Sequence, residues 1–265
     1  MKTILITGST DGIGKLVAFQ LAKEGHQILL HGRNERKLAD TVAEIKEATK
    51  NSAIESFIED FSDLNSVTSM TLAIKEKVSK IDILINNAGI FKSQITKSND
   101  GFDIRFAVNY LTPYILTKEL LPLIEKGNAP RIINLSSAAQ STVCIDALLG
   151  KQELSDQGAY AQSKLALTIW SFDLAKKHKD INTIAVNPGS LLNTKMVNEA
   201  YGQYWSSADK GSNILYDLAV SEVYSNSSGQ YFDNDKGSFS TAHSDAYDAD
   251  KIAELIAVTE SIFKA

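Results

Sequence analysis

The stretch TGSTDGIGK, residues 7–15, decides the fold of this chain. It follows the apolar run of residues 4–6, which is typical of a buried strand, and precedes apolar residues at helical spacing in residues 16–22. Three glycines therefore lie at a turn from a strand into a helix. Such a turn directs the free N–H groups and the positive end of a helix at an anion, although a tight turn that only packs helix on strand gives the same pattern.

Apolar runs and helical patterns alternate along the rest of the chain. Strands are predicted at residues 2–7, 27–32, 53–58, 81–86, 130–136, 181–187 and 229–233, and helices at residues 15–23, 36–50, 66–78, 114–124, 159–177 and 248–263. This alternation predicts βαβ units, hence an α/β fold with a parallel sheet between helices. Two irregular stretches, residues 138–157 and 190–211, follow strand ends, where such sheets have their ligands and covering loops, and we expect substrate loops there.

Length and composition favour a single soluble domain over residues 1–265. Hydrophobic residues make up 43% of the chain, and the net charge of −5 offers no basic footprint for nucleic acid. Cys144 is the only cysteine, which excludes an intrachain disulfide and agrees with a reducing cytoplasm. We expect neither a metal site nor a membrane anchor, because no His, Asp and Glu residues cluster at metal spacing and no apolar run approaches the length of a membrane span.

Tyr160 and Lys164 form the second informative pattern. Four residues apart on a predicted helix, they share one face. A neighbouring ammonium lowers the pKa of a tyrosine, so Tyr160 could exchange a proton with a carbonyl or an alcohol. An isolated pair of this kind is more often an exposed tyrosine packed on a lysine stem. Here, however, it lies downstream of the glycine turn, of residues 86–89 (NNAG) and of the serines 136 and 137, all at predicted strand ends.

Together these motifs resemble the short-chain dehydrogenase/reductase family, and the match covers most of the chain. The pattern TGxxxGIG is residues 7–14, NNAG is residues 86–89, YxxxK is residues 160–164 and a PG turn is residues 188–189. The helix asparagine of the family corresponds to Asn109 and its serine to Ser137. The interval between Ser137 and Tyr160 is longer than the family commonly has, as in its retinol-dehydrogenase-like members, so we expect an insertion over residues 144–156 to form part of the substrate wall.

The resemblance implies a Rossmann-type, doubly wound sheet of about seven parallel strands that binds a nicotinamide dinucleotide beside the first strand. It makes Tyr160 the acid-base residue, Lys164 the residue that holds the nicotinamide ribose and lowers the tyrosine pKa, Ser137 the partner of the substrate oxygen and Asn109 the support of a water relay. Hydride would pass between the cofactor and a small carbonyl or alcohol compound. The residues expected at the cofactor are Gly8, Ser9, Thr10, Gly12, Ile13, Gly14, Lys15, Arg33, Asn34, Asp60, Phe61, Asn87, Ala88, Gly89, Tyr160, Lys164, Pro188, Gly189 and Thr194.

The choice of cofactor depends on the end of the second strand, residues 30–34. Family members specific for NAD have an acid there, whereas this chain has none, and Arg33 and Lys15 offer cations for a phosphate. This pattern favours NADP, with NAD as the alternative, and two ordinary surface cations would also explain both residues. Thr194 is one residue beyond the usual spacing from the PG turn and is expected to touch the carboxamide of the cofactor.

Two other functions stay open. One is a non-catalytic sensor that keeps the dinucleotide-binding fold, which the intact catalytic set argues against. The other is a nucleotide-sugar epimerase or dehydratase, whose glycines are spaced GxxGxxG instead of GxxxGxG. A homo-oligomer is open as well, because an apolar stripe on the predicted helix 159–177 could pack against a second copy or simply cover the sheet. The stripe consists of Leu165, Ile169, Trp170 and Phe172.

Overall fold

An eight-stranded sheet lies between two layers of helices in the computed structural model, which describes residues 1–264 and leaves Ala265 outside the described range. The strands are β1 Thr3–Ile6, β2 Gln27–Gly32, β3 Ile54–Ile58, β4 Ile83–Asn86, β5 Arg131–Leu135, β6 Asn182–Asn187, β7 Gln230–Asp233 and β8 Ser238–Ser240. Their order is β3-β2-β1-β4-β5-β6-β7-β8, with β1 to β7 parallel and β8 antiparallel to β7. The predicted α/β fold is confirmed, with one strand more than expected.

The helices connect the strands and cover both faces of the sheet. The α-helices are α1 Gly12–Lys23, α2 Glu35–Thr49, α3 Leu64–Lys77, α4 Ile104–Phe106, α5 Thr112–Ile124, α6 Ile145–Leu148, α7 Asp156–Lys177, α8 Lys195–Tyr201, α9 Ala208–Val220 and α10 Ala249–Ile262. A π-helix, Ala107–Leu111, joins α4 to α5. Within residues 1–264, no helix combines the length and the apolar character that crossing a membrane requires.

The strands are buried on both faces, which explains their near-continuous apolar sequences. In β1, Ile4 and Ile6 point to one face and pack in a cluster with residues of α1, α2 and α9. Leu5 points to the opposite face, into a second cluster with residues of α3, α5 and α7. Helices thus pack on both faces of the sheet, and the loops that follow the strands lie at its carboxyl-terminal edge.

The order of the strands reverses at β1. The chain first builds β2 and β3 on one side of β1, and then returns to place β4 and all later strands on the other side. At such a point the loops after neighbouring strands diverge and leave a crevice at the carboxyl ends. Residues 7–11 after β1 and residues 87–89 after β4 border this crevice, so the fold itself brings the two motifs together.

The structure differs from the predicted elements at several places, and two of the differences have physical causes. The helical segment before α5 begins at Ile104, well before the predicted residue 114, because its residues are buried all round and show no amphipathic period. α1 begins at Gly12 instead of residue 15, since Asp11 caps it by accepting a hydrogen bond from the Gly12 N–H at 2.7 Å. The three residues of β8 lie between the predicted strand 229–233 and the predicted helix 248–263, where no strand was predicted.

The apolar stripe of α7 is covered by the chain itself. Trp170 packs on Tyr114 of α5 with ring centroids 5.6 Å apart, and Tyr114 stacks on Phe263, just after α10, at 5.5 Å. Leu165, Ile169 and Trp170 are all buried. The stripe is therefore not a free surface for a second copy, and a homo-oligomer stays a prediction without an interface.

Candidate active site

One large cavity, of about 980 Å³, runs along the carboxyl ends of the central strands. We call the part beside Arg33 and Asp60 its β2 end, and the part beside Tyr160 and Lys164 its α7 end. The predicted site residues that line this cavity are Gly8, Thr10, Gly12, Ile13, Gly14, Arg33, Asn34, Asp60, Phe61, Asn87, Ala88, Gly89, Ser137, Tyr160, Lys164, Pro188, Gly189 and Thr194. Three predicted residues, Ser9, Lys15 and Asn109, are not part of its lining.

Packing requires two of the three glycines in the turn after β1. A Cβ on Gly8, whose φ is +63°, would lie 2.8 Å from Ala88 Cα, and a Cβ on Gly14 would lie 2.3 Å from Asn87 Nδ2. At Gly12, whose φ is +50°, the nearest atom to an added Cβ is Thr194 Cγ2 at 3.5 Å. The absence of a side chain at Gly8 and Gly14 thus lets the turn lie against residues 87 and 88. At Gly12 it leaves space beside Thr194.

Thr7 and Asn87 join the two central turns. Thr7 Oγ1 accepts hydrogen bonds from the backbone N–H groups of Asn87 and Ala88, both at 3.0 Å. In return, Asn87 Nδ2 donates to the carbonyl oxygens of Thr7 at 2.7 Å and of Gly8 at 2.9 Å. Asn87 therefore positions the glycine turn as well as lining the cavity.

His31, at the end of β2, holds the same turn from another side. Its Nδ1 accepts a hydrogen bond from the Gly8 N–H at 3.0 Å, its Nε2 lies 3.1 Å from the Glu59 carbonyl, and its ring stacks on Phe61 at 3.9 Å. These partners assign the neutral ring with its proton on Nε2. Burial lowers the pKa of His31 to about 4. Sequence reasoning missed this role, for which the signal was a polar residue at the end of a buried apolar strand.

The β2 end carries two cations on one short segment. Asn34 caps α2, because its Oδ1 accepts a hydrogen bond from the Lys37 N–H at 2.9 Å. The cap fixes the backbone between Arg33 and Lys37, and both side chains line the cavity. Asp60 also lines this end, with Oδ1 accepting from the Ser62 N–H at 2.9 Å.

The expected second cation, Lys15, does not reach the cavity. Its Nζ lies 2.5 Å from Glu44 Oε2, so it is paired with α2 instead. Lys37 is the lysine of the lining, with Nζ 2.5 Å from Asp11 Oδ2. Ser9 is also withdrawn, because it is buried and its Oγ accepts a hydrogen bond from the His31 N–H at 2.9 Å.

Ser137, Tyr160 and Lys164 converge at the α7 end. The side chain of Ser137 lies near the Tyr160 phenol and favours its ionised form. Lys164 Nζ lies 5.6 Å from the centre of the Tyr160 ring and donates to the Leu135 carbonyl at 2.7 Å. Ser136 is buried, whereas Ser137 is half-buried, so the second serine is the one that a substrate could reach.

The protonation states at the α7 end differ from the sequence expectation. Burial raises the pKa of Tyr160 and outweighs the effect of Ser137, which lowers it. Burial also lowers the pKa of Lys164 to about 7, so its amino group is roughly half charged at neutral pH. The expected lowering of the Tyr160 pKa by Lys164 is therefore wrong for this structure, because both groups are withdrawn from water. Tyr160 is a neutral phenol that can donate a proton.

Asn109 is buried in the π-helix and acts on its neighbours through its carboxamide. Oδ1 accepts from the Ile90 N–H at 2.8 Å, and Nδ2 donates to the Ile90 carbonyl and to Ser163 Oγ, both at 3.0 Å. A Cβ on Gly89 would lie 3.2 Å from Asn109 Oδ1 and 3.4 Å from Lys164 Nζ. Asn109 thus positions the loop after β4 beside Lys164, and its water relay stays a prediction.

The turn after β6 accommodates the one residue by which the interval from the PG turn to Thr194 exceeds the usual spacing. Gly189 has a φ of +125° and Leu191 a φ of +47°, a left-handed conformation that is uncommon for leucine. Asp235, between β7 and β8, accepts hydrogen bonds from Ser190 N–H at 2.9 Å and Oγ at 2.5 Å. Thr194 consequently reaches the cavity, where it caps α8. No local pattern in the sequence could have revealed Asp235.

The two predicted substrate loops differ in what they contribute. From residues 190–211, eleven positions between 190 and 205 line the cavity, but from residues 138–157 only Ala138 and Ala139 do. None of residues 144–156 lines the cavity, because α6 turns inward and buries Ala147 and Leu148 in the core, so their part in a substrate wall stays a prediction.

Aromatic side chains surround Tyr160 at the mouth of the cavity. The Phe91 ring meets the Tyr160 ring edge to face at 5.0 Å and stacks on Tyr201 of α8 at 5.7 Å. Ile95 and Trp205 also line the cavity and are exposed. An apolar opening beside a proton donor is suited to an apolar compound with one reactive oxygen.

The donor set of the cavity fits a nicotinamide dinucleotide. The β2 end offers two cations and the N-terminus of α1 for phosphates, and the α7 end offers a lysine and a phenol beside an apolar wall. In the part of the chain that the structure describes, no group of three His, Cys, Asp or Glu side chains could hold a metal ion.

Comparison with known sequences agrees with this geometry. A family model described as short chain dehydrogenase matches residues 2–205. Retinol dehydrogenase 12 of Mus musculus is 31% identical over 247 residues, which are 89% of this chain and 78% of that protein. Polyprenol dehydrogenase of Homo sapiens is 32% identical over 210 residues, 76% of this chain and 63% of that protein.

Solved structures give the same result. The crystal structure of a short chain dehydrogenase from Escherichia coli CFT073 complexed with NADPH has a TM-score of 0.73 and 26% identity, and the match covers 88% of this chain and 96% of that one. The glycine turn, Ser137, Tyr160 and Lys164 thus meet at one cavity inside a fold that solved short chain dehydrogenases share, and the family model spans most of the sequence. This chain belongs to the short chain dehydrogenase family of NAD(P)-dependent oxidoreductases and resembles its retinol-dehydrogenase-like members.

Proposed function

We propose that this chain is an NADP-dependent oxidoreductase that transfers a hydride between the nicotinamide and an apolar carbonyl or alcohol compound, with Tyr160 as the acid-base residue. The observation that carries the proposal is the convergence of Ser137, Tyr160 and Lys164 in the wall of the cavity, where burial raises the pKa of the Tyr160 phenol. A phenol in this state is ready to protonate a carbonyl oxygen.

The β2 end supports the choice of NADP. Arg33 and Lys37 supply two cations there, and β2 ends on His31 and Gly32 instead of a carboxylate. A guanidinium is a planar fork of donors that suits a phosphate. The Escherichia coli relative complexed with NADPH adds support from a protein of the same fold.

The α7 end supports a proton transfer by the protein. The bound cofactor would supply or accept the hydride. During reduction, Tyr160 gives its phenolic proton to the carbonyl oxygen as the alcohol forms, and Ser137 orients that oxygen by a hydrogen bond. The negative charge of the phenolate that remains favours the charged form of Lys164, which the Leu135 carbonyl holds beside the ring. During oxidation the alcohol proton returns to Tyr160.

The proposed partner is a small-molecule substrate. The proposed location of the protein is the cytoplasm. Cys144 is free, which a reducing compartment allows. The net charge of −5 offers nothing for nucleic acid.

The test is NADPH oxidation with a panel of aldehydes and ketones by the wild type, Tyr160→Phe and Tyr204→Phe. Tyr160→Phe keeps the ring and loses the ionisable oxygen, so turnover should fall about 100-fold or more while NADPH affinity is kept. Tyr204, exposed and outside the cavity lining, is the matched control and should keep its turnover. Near-normal turnover in folded Tyr160→Phe contradicts the proposal. Tight NADPH binding without oxidation by any compound favours the sensor instead.

A further inference from the structure

The carbonyl group of Ser137 accepts two hydrogen bonds, and both donors are side chains. The Tyr231 hydroxyl, from β7, donates to it at 3.0 Å, and Gln140 Nε2, from the loop after β5, donates at 2.9 Å. A carbonyl oxygen has two lone pairs, so both are used here. Neither Tyr231 nor Gln140 lines the cavity, so both act on the site through Ser137.

The backbone around Ser137 needs such support. Residues 136–144 are neither strand nor helix, so no ladder of backbone hydrogen bonds fixes them. One donor would be enough to satisfy a buried carbonyl, whereas two donors from different elements also fix its direction. Because the peptide unit is planar, a fixed carbonyl restricts the backbone of Ser137, and with it the place of the hydroxyl.

The Ser137 hydroxyl is itself oriented by the loop. Its Oγ accepts a hydrogen bond from the Ala139 N–H at 3.1 Å, which occupies one lone pair and leaves the proton for a substrate oxygen. Ser136 differs, because its buried Oγ lies 2.6 Å from Thr168 Oγ1 and 3.3 Å from the Lys164 carbonyl oxygen. The two neighbouring serines thus have different tasks, and the loop prepares the second one as a donor.

Tyr231 keeps its proton while Tyr160 reacts. Burial raises the pKa of Tyr231, and the negative charges of Asp233 and Asp235 raise it further. An ionised Tyr160 raises it as well, so Tyr231 stays neutral when Tyr160 has given up its proton. The hydrogen bond to the Ser137 carbonyl therefore persists through the proton transfer.

The Gln140 side chain is fixed by its own partners. Nε2 donates to the Ser137 carbonyl and lies 3.3 Å from Ser136 Oγ, and Oε1 accepts a hydrogen bond from the His243 N–H at 3.1 Å. A carbonyl requires a donor and an N–H requires an acceptor, so these partners assign the nitrogen and the oxygen of the amide. Gln140 thus connects the loop of Ser137 to the segment that follows β8.

We propose that Tyr231 and Gln140 are positioning residues of the reaction: their hydrogen bonds to the Ser137 carbonyl hold the Ser137 hydroxyl where it donates to the substrate oxygen. The inference rests on the proposed function, since it concerns the serine that orients the substrate there. Loss of either donor leaves the carbonyl with one hydrogen bond, and the hydroxyl then adopts orientations that do not meet the substrate. The chemical step slows, while the cavity lining that binds the cofactor stays unchanged.

The experiment measures single-turnover NADPH oxidation with the ketone that the wild type reduces fastest. Tyr231→Phe and Gln140→Met should each slow the chemical step about tenfold, with the NADPH dissociation constant unchanged, because small displacements of a reacting group cost large factors in rate. In a Ser137→Ala background the same two changes should alter the rate less than about twofold, because no hydroxyl is left to position. Tyr110→Phe is the control. It also removes a buried tyrosine hydroxyl with one hydrogen bond, here to Thr259 outside the cavity lining, and should keep the wild-type rate.

An unchanged rate in folded Tyr231→Phe and Gln140→Met overturns the inference and leaves the proposed function intact, because the wild type still reduces the ketone. A loss of the same size with and without the Ser137 hydroxyl also overturns it, since such a loss comes from the fold. A wild type that reduces none of the compounds overturns the proposed function, and the inference with it.

Thermal unfolding of each variant checks that it is folded. If Tyr231→Phe does not fold, Gln140→Met decides, because it changes a half-buried side chain in a loop. If Ser137→Ala shows no rate, the comparison of Tyr231→Phe and Gln140→Met with Tyr110→Phe decides. A slower chemical step in the first two alone supports the inference, and equal rates in all three overturn it.

Discussion

His31 Nδ1 accepts a hydrogen bond from the Gly8 N–H at 3.0 Å, so a buried imidazole holds the turn that borders the cavity. A protonated ring would place two donors face to face and break this bond. The bond to the Glu59 carbonyl and the charge of Asp60 both favour protonation, and each has a smaller effect than burial. The glycine turn therefore depends on a histidine that stays neutral.

Part of the loss in the free energy of unfolding at acidic pH should come from the protonation of His31. Burial lowers the pKa of His31 from 6.5 to about 4, so between these values the unfolded chain binds a proton that the folded chain does not. The contribution to stability is fully present above pH 6.5 and is lost as the pH falls towards 4. Between pH 7 and pH 5 the loss should be about 2 kcal/mol. Denaturant unfolding of the wild type and His31→Gln at both pH values measures it, and equal pH dependence in the two proteins would contradict the assignment.

Gly14→Ala should damage the protein through Asn87. The new Cβ would lie 2.3 Å from Asn87 Nδ2 and 2.6 Å from the Gly8 carbonyl, so the hydrogen bonds between the two turns must shift. We expect a loss of about 1–3 kcal/mol in the free energy of unfolding and weaker dinucleotide binding. Gly158→Ala is the control, because it lies in α7 and an added Cβ would meet only side-chain atoms, Ser155 Oγ at 3.2 Å and Leu154 Cβ at 3.8 Å. Wild-type stability and NADPH affinity in Gly14→Ala would show that the turn tolerates a side chain.

Arg33→Ala should remove much of the preference for NADPH. A charge-assisted bond to a phosphate contributes ~1.5–3 kcal/mol, so NADPH affinity should fall about ten- to a hundredfold while NADH affinity barely changes. The matched control is Arg36→Ala. Arg36 lies in α2, three residues after Arg33 in the sequence, and is outside the cavity lining. The measurement is the pair of dissociation constants in each protein. Equal affinities in the wild type would defeat the choice of NADP, and an equal loss in Arg33→Ala would point to local folding.

Tyr201→Ala should weaken the binding of aromatic substrates. Tyr201 stacks on Phe91, which packs on Tyr160, so its ring closes the apolar wall beside the proton donor. We expect KM for an aryl ketone to rise about tenfold, because contacts between aromatic groups contribute ~0.5–1.5 kcal/mol, with a smaller rise for a short aliphatic ketone. Tyr204→Ala, exposed to the same extent and outside the lining, is the control. The same rise for both ketones would indicate that α8 has collapsed.

The sequence predicted those parts of the site that depend on short motifs and their spacing. The spacing of Tyr160 and Lys164, the glycines after β1 and the NNAG motif after β4 lie at strand ends or on one helix face, and the parallel sheet brings such places together. The choice between Lys15 and Lys37 depended on which face each helix turns to the cavity, which the spacing from the glycines does not give. Residues 144–156 turn towards the core because Leu148 is buried there. The long interval between Ser137 and Tyr160 does not indicate this.

The protonation of Tyr160 could not be predicted from its neighbour four residues away. The electrostatic effect of Lys164 on Tyr160 depends on whether Lys164 is charged, and burial lowers the pKa of Lys164 while it raises that of Tyr160. Asp235 and His31 act through hydrogen bonds to residues that are distant in the sequence. Such bonds follow from the packed fold and leave no periodic signal.

The stacking of Phe263 on Tyr114 has a consequence for how the protein is made. α10 follows every strand of the sheet in the chain, so on the ribosome the aromatic face of α5 and α7 is synthesised before its cover exists. Until α10 docks, the nascent chain presents Tyr114 and Trp170 to chaperones and to other nascent chains. Removal of α10 should therefore appear first as aggregation during expression, even though the cavity and all of its lining residues are encoded upstream.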